Sequence, residues 1–211
     1  MIITWFGLSF FKIETKGSII AIDPYTEESG LKPPRFKTDI LLVSHNHADS
    51  KDKNSLMGEY FLLEGPGEIE KAGIFIEGIN SYHDNQSGKQ NGTNTIYLIQ
   101  TEDIKLVYLG DLGEKKLRDE TLEKLEDIDI LIIPIGGKDT IGSEEATSII
   151  NQIEPKIVIP MNYKIPGIKA KLGDLDEFIK TCAKKPETLD KLTIKKNDLP
   201  SGTKLIVLNK Q

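Results

Sequence analysis

Asp39-Ile-Leu-Leu-Val-Ser-His-Asn-His-Ala-Asp-Ser50 decides how this 211-residue chain is read. Ile40 to Val43 is an unbroken apolar run between polar residues, the pattern of a strand buried on both faces. Where a strand ends, alternate residues still point the same way. His45 and His47 can therefore present two imidazoles to one point, and Asp49 continues the spacing as a third donor. The chain holds only three histidines, so two of them in one H-x-H-x-D string point to a metal centre, present or lost.

The third histidine, His83, opens a loop after the Ile74-Phe-Ile-Glu-Gly-Ile segment. Three neutral imidazoles suit a zinc-like ion and leave a fourth position for water or a carboxylate. Asp111 stands in Leu109-Gly-Asp-Leu-Gly, again just past an apolar run, where flanking glycines allow a sharp turn and a close approach to an ion. Taken singly, His83 and Asp111 read as ordinary loop residues. They gain meaning only in company with the H-x-H-x-D string.

Outward from these motifs the chain is rich in strand signals. Ile2 to Phe6, Phe10 to Thr15 and Ser18 to Ile22 are short apolar or alternating runs, with Lys16-Gly17 as a hairpin turn and Asp23-Pro24 as a stop. Further strands are expected at 60–63, 74–76, 94–100, 105–109, 128–134, 156–160 and 204–208. Helical spacing predicts helices over Glu114 to Leu125, Ser143 to Ile153 with Ser143 as N-cap, and Leu175 to Lys185. Segments 26–37 and 82–93 read as loops. Propensity alone gives α/β or α+β with a mixed sheet and does not choose between them.

Composition narrows the function classes. A net charge of −6 and a pI near 5.2 argue against a nucleic-acid partner, whose binders carry a basic footprint. No apolar run reaches the length of a membrane span, and the apolar start lacks a signal-peptide pattern, so a soluble, cytoplasmic protein is expected. The single cysteine, Cys182, excludes an intrachain disulfide and fits a reducing compartment. It is read as a small buried hydrophobe on a helix.

Together, the H-x-H-x-D string, the loop histidine, Gly110-Asp111-Leu-Gly and Ile159-Pro-Met-Asn-Tyr163 resemble the metallo-β-lactamase superfamily. The likeness is greatest to stand-alone metal-dependent hydrolases related to bacterial ascorbate-phosphate lactonases, and it covers essentially the whole chain. Trp5-Phe-Gly-Leu-Ser-Phe-Phe-Lys-Ile, Gly65-Pro-Gly-Glu, Asn94-Thr-Ile-Tyr and Ile133-Pro-Ile-Gly-Gly belong to the same likeness. The resemblance implies one αββα domain over residues 1–211, two mixed sheets faced by helices, with the site at one edge. It also implies two ions: one on positions matching His45, His47 and His83, a second on Asp49 and further histidines, and Asp111 bridging both.

This chain departs from that pattern. Where the family carries histidine, Ser50 and Asn162 stand here, and so do Leu8 and Glu114 at two positions often histidine in close relatives. What remains for a second ion is oxygen: Asp49, Asp111, and weakly Asn162 and Ser50. Hard ions such as Mg²⁺, Mn²⁺ or Ca²⁺ prefer such a set, and zinc binds it weakly. The expectation is one Zn²⁺ or similar divalent ion, with or without a second, weakly bound one.

Two functions stay open. The first is hydrolysis of an ester, lactone or phosphodiester of a small substrate, anionic or neutral, by an ion-activated water, with Asp111 orienting the water and Asp49 as general base. The second is a catalytically degenerate scaffold that binds a ligand or partner. Lys138 and Lys164 lie in loops expected near the site, although surface lysines are the simpler reading of both. Oligomeric state is not legible.

Overall fold

The computed structural model describes residues 1–45 and 55–211. Among them the strands run, in chain order, β1 (Ile2–Gly7), β2 (Phe10–Glu14), β3 (Ile19–Ile22), β4 (Phe36–Lys37), β5 (Ile40–Val43), β6 (Leu56–Met57), β7 (Phe61–Glu64) and β8 (Gly67–Lys71). Then follow β9 (Ile74–Tyr82), β10 (Thr93–Thr101), β11 (Ile104–Tyr108), β12 (Ile130–Pro134), β13 (Ile157–Met161), β14 (Pro186–Leu189), β15 (Leu192–Thr193) and β16 (Lys204–Leu208). The helices are α1 (Asp119–Leu122), α2 (Ser143–Ile153) and α3 (Leu175–Cys182).

These strands form two mixed sheets. One has six strands in the order β15-β1-β2-β3-β5-β7, the other eight in the order β14-β16-β13-β12-β11-β10-β9-β8. The early strands pair antiparallel, whereas β3-β5-β7 and β11-β12-β13-β16-β14 pair parallel. The fold is the expected α/β sandwich of mixed sheets, with few helices.

Strand β5 shows how the pattern works. Ile40 and Leu42 join the large core between the sheets, while Leu41 and Val43 join a second cluster with Phe6, Phe10, Tyr25 and Leu31 on the outer face. Both clusters bury β5 completely, which is why its sequence is continuously apolar rather than alternating. Among the described residues, that outer face is covered by the loop after β3 and a 3₁₀ turn at Glu27–Ser29. On the far side of the eight-stranded sheet, α2 contributes Ala146, Ile149, Ile150 and Ile153, and α3 contributes Phe178, to the main core.

The helices differ from expectation at their ends. The helix foreseen over 114–125 shrinks to α1, because Arg118 is extended (φ −72°, ψ 151°) and Glu114 is drawn to the backbone of Tyr82. In α2 the N-cap is Gly142, whose N–H is accepted by the Glu145 carboxylate at 3.2 Å. Helix α3 stops at Cys182. Ala183 turns left-handed (φ 51°) and Pro186, opening β14, keeps Lys185 out of helical conformation. Cys182 itself is half-buried and packs against the core. The strand expected over 74–76 runs on to Tyr82, and β8 and β14 were not foreseen.

Two tyrosines of the eight-stranded sheet stitch the layers together. The Tyr97 hydroxyl lies 2.7 Å from the Val43 carbonyl and 3.0 Å from that of Leu63. Tyr108 reaches the Ser9 carbonyl at 2.9 Å and the Asp23 carboxylate at 2.6 Å. Burial holds both phenols protonated, well above the ordinary tyrosine range. Replacing Tyr97 with Phe removes the hydroxyl that bridges the carbonyls of β5 and β7, so Tyr97→Phe is expected to cost about 0.5–1.5 kcal/mol in urea denaturation.

Candidate metal centre

Every described donor of the site stands at the same end of a strand. His45 follows β5, His83 follows β9, Asp111 follows β11 and Asn162 follows β13. The two sheets meet there through a bridge between His45 and Asn94, with the Thr95 N–H donating to the Ser44 carbonyl at 2.8 Å. One ligand atom each from His45, His83 and Asp111 lies within 4.8 Å of the others. His47, Asp49 and Ser50 lie outside the described residues.

The histidine tautomers follow from their neighbours. His83 Nδ1 is 3.0 Å from the Asp139 carbonyl, which can only accept, so Nδ1 carries the proton and Nε2 a lone pair. For His45 the reasoning takes one more step. The Ser44 hydroxyl donates its one proton to Asp23 Oδ2 at 2.5 Å and lies 2.8 Å from His45 Nδ1. With that proton spent, the hydroxyl accepts from Nδ1–H, leaving His45 Nε2 unprotonated.

Two Nε2 lone pairs therefore face Asp111 Oδ2, at 3.6 Å from His45 and 3.4 Å from His83. Three electron-rich atoms converging in this way call for a cation among them. The electrostatics of His83 agree. Burial by itself would lower its pKa, but the Asp111 carboxylate, which would accept from a protonated Nε2, outweighs burial and raises it, so positive charge is favoured at that point. Two imidazoles and a carboxylate form a donor set that fits a zinc-like divalent ion.

Asp111 is held from behind. Its N–H donates to Asn94 Oδ1 at 2.9 Å, and Asn94 Nδ2 in turn donates to Ser81 Oγ at 2.7 Å and the Leu109 carbonyl at 2.9 Å. Asn94 is wholly buried, so its amide spends these bonds on positioning the turn. The flanking glycines act as expected. Gly110 adopts φ +60°, and a β-carbon there would collide with Asn94 Oδ1 and Ser44 Oγ. One at Gly113 would strike the backbone of His83 and Asp84.

Asp23 anchors the other flank. It is fully buried and accepts from the Ser44 N–H at 2.7 Å as well as from Ser44 Oγ and Tyr108. Burial raises its pKa, against the opposing pull of His45, Ser44 and Tyr108. Asp84, next to His83, accepts four backbone N–H groups, from Gln86, Gly88, Gln90 and Asn91. The Asn91 bond leads in lowering its pKa to about 2.

Asn94, Asp23, Ser44 and Asp84 had no functional role in the sequence reading. Asp23 carried one faint signal, an acid between a wholly apolar strand and a proline. Of the two lysines considered, Lys138 lines the cleft above the ligands and pairs with Asp139 at 3.3 Å, and Lys164 pairs with Asp174 at 3.3 Å. The cleft has a volume of about 270 Å³ and includes Leu8, Tyr25 and Leu172 in its wall. Glu114 does not join it.

Residues 2–162 match the family model of the β-lactamase superfamily domain. The chain belongs to the β-lactamase superfamily. Within it, the chain is 31% identical to a UPF0173 protein of Pyrococcus abyssi, over 79% of this chain and 85% of that one. It is 28% identical to a UPF0173 metal-dependent hydrolase of Pyrococcus horikoshii, over 89% and 94% respectively. Among solved structures, a Thermotoga maritima protein assigned to the Zn-dependent hydrolases of the metallo-β-lactamase superfamily superposes with a TM-score of 0.82. It shares 29% identity and covers 98% of this chain and 97% of its own.

Two measurements probe this geometry. Ser44→Ala removes the acceptor for His45 Nδ1–H, so affinity for a divalent ion, read by competition with a chromophoric chelator, is expected to fall about 10- to 100-fold. Asp84 contributes stability through a depressed pKa. That contribution is complete above the ordinary carboxylate pKa of about 4 and fades as pH falls toward 2. Wild type should therefore exceed Asp84→Asn in urea midpoint at pH 6, and the gap should close between about pH 4 and pH 2.

Proposed function

We propose that this chain is a hydrolase that works through one zinc-like divalent ion held by His45, His83 and Asp111. His47 is the further imidazole in this proposal. The supporting observation is the tautomer lock: Ser44 and the Asp139 carbonyl each occupy an Nδ1, which leaves both Nε2 lone pairs turned toward Asp111 Oδ2. A scaffold with no use for a cation gains nothing from that convergence. The descriptions of the Pyrococcus horikoshii and Thermotoga maritima relatives as metal- and Zn-dependent hydrolases point the same way.

When bound, the ion supplies Lewis acidity, polarising a carbonyl or phosphoryl oxygen and acidifying a water. The rest falls to the chain. Asp111, about one-seventh exposed, is the carboxylate that reaches from the buried ligands into the cleft and can orient the attacking water. Asp49 is assigned the general-base role. The small cleft admits a compact lactone, ester or phosphodiester, and Lys138 at its wall, paired with Asp139, is a cation that would meet an anionic group on such a substrate. A lone half-buried cysteine suits a reducing, cytoplasmic setting, and residues 1–211 are taken as one domain. No helix among the described residues is long and apolar enough to cross a membrane.

The test is metal content of protein purified without chelators, followed by lactone, ester and phosphodiester assays after Zn²⁺ or Mn²⁺ reconstitution. About one ion per chain is expected, with turnover lowered about a hundredfold or more by His83→Ala. Metal-loaded protein that is silent across the panel would favour the binding scaffold instead. Protein that takes up no ion under any condition would end the proposal.

A further inference from the structure

Three positions where the resemblance leads one to expect histidine, Leu8, Glu114 and Asn162, have other employment here, and two of them work together. Asn162 Nδ2 donates to Asp111 Oδ1 at 3.0 Å. The orientation of the amide follows from chemistry, since a carboxylate oxygen can only accept and so must face the NH₂ group. The Asn162 backbone N–H donates to the Leu8 carbonyl at 3.1 Å, and the Trp5 indole donates to the same carbonyl at 2.9 Å. Leu8 and Asn162 are both left-handed, with φ of 51° and 54°. On its other side the Asn162 carbonyl packs against Gly136, where a β-carbon would collide with it. Glu114, the third position, accepts from the Tyr82 N–H at 3.0 Å and pairs with Arg118 Nε at 3.4 Å.

We propose that Asn162 restricts the centre to a single ion by occupying Asp111 Oδ1 with an N–H donor, so that only Oδ2 is offered to metal. This rests on the ion being held as proposed above. The two oxygens of Asp111 are divided: Oδ2 faces the imidazoles and Oδ1 faces the amide. An ion placed against Oδ1 would share that oxygen with an N–H donor, which takes one of its two lone pairs and turns the positive end of its dipole toward the ion. Escape is hindered, because the amide hangs from a backbone fixed by Leu8 and Gly136. Asn162 is thus more than a weak ligand left by a lost histidine. It is a positioning residue that makes Asp111 a one-oxygen ligand.

The test counts ions. Metal-free protein is dialysed against saturating Mn²⁺ and, separately, Zn²⁺, and bound metal is measured per chain, with melting temperature as the check on folding. Wild type is expected to hold one ion. Asn162→Asp keeps a residue type that tolerates the left-handed backbone and replaces the donor by an acceptor. It is expected to take up a second Mn²⁺, visible as spin coupling in the EPR spectrum. Asn162→Gly removes the amide without backbone strain, and its affinity for the first ion is expected to fall about 10- to 100-fold as Asp111 loses its tether. Two ions in wild type would overturn this inference and leave the hydrolase proposal standing. So would folded Asn162→Asp and Asn162→Gly proteins that bind metal as wild type does. No ion in wild type would remove both.

Discussion

The carboxylate of Asp23 sits where water does not reach, and a buried charge persists only when donors surround it. Its donors come from two directions: Ser44 just past β5 of one sheet and Tyr108 at the end of β11 in the other. Satisfying one anion therefore fixes the separation of the two layers at the edge where the ligands stand. The same hydrogen bonds set the Ser44 hydroxyl, and through it the tautomer of His45. Structure and chemistry share one buried group here, so neither can be altered alone.

Asn94 plays the matching part on the eight-stranded sheet. Its side chain connects β9 through Ser81, the end of β11 through Leu109, and the turn that carries Asp111. A buried amide with its hydrogen bonds met is rigid, and a half-met one is costly, so the network holds as a unit. The ligands stand on strand ends and sharp turns braced by this network, which suits a site that must present three atoms to one point.

Much of this was legible beforehand because it is local. The buried strand Ile40–Val43 announces itself by unbroken apolar character, and the H-x-H spacing directly after it needs no knowledge of distant residues. Gly110 and Gly113 likewise mark a tight turn around Asp111. What periodicity could not show are bonds between residues remote in the chain. Glu114 looks helical among its neighbours, yet it is claimed by Tyr82, 32 residues earlier. Asn162 looks like a vacated ligand, yet its partner is Asp111, 51 residues away. Strands β8 and β14 escaped notice for a related reason: at a sheet margin, Glu68, Glu70 and Glu187 dilute the apolar signal.

Those charges have a consequence for how molecules meet. The eight-stranded sheet ends in β8 on one side and β14 on the other, each with one flank free of a strand partner among the described residues. Glu68, Glu70 and Lys71 stand exposed along β8, and Pro186 denies β14 one backbone donor. A neighbouring molecule adding its own β8 in matching register would bring glutamates together, and one approaching β14 would find a gap in the ladder. The sheet can thus grow wide without inviting fibrous self-association.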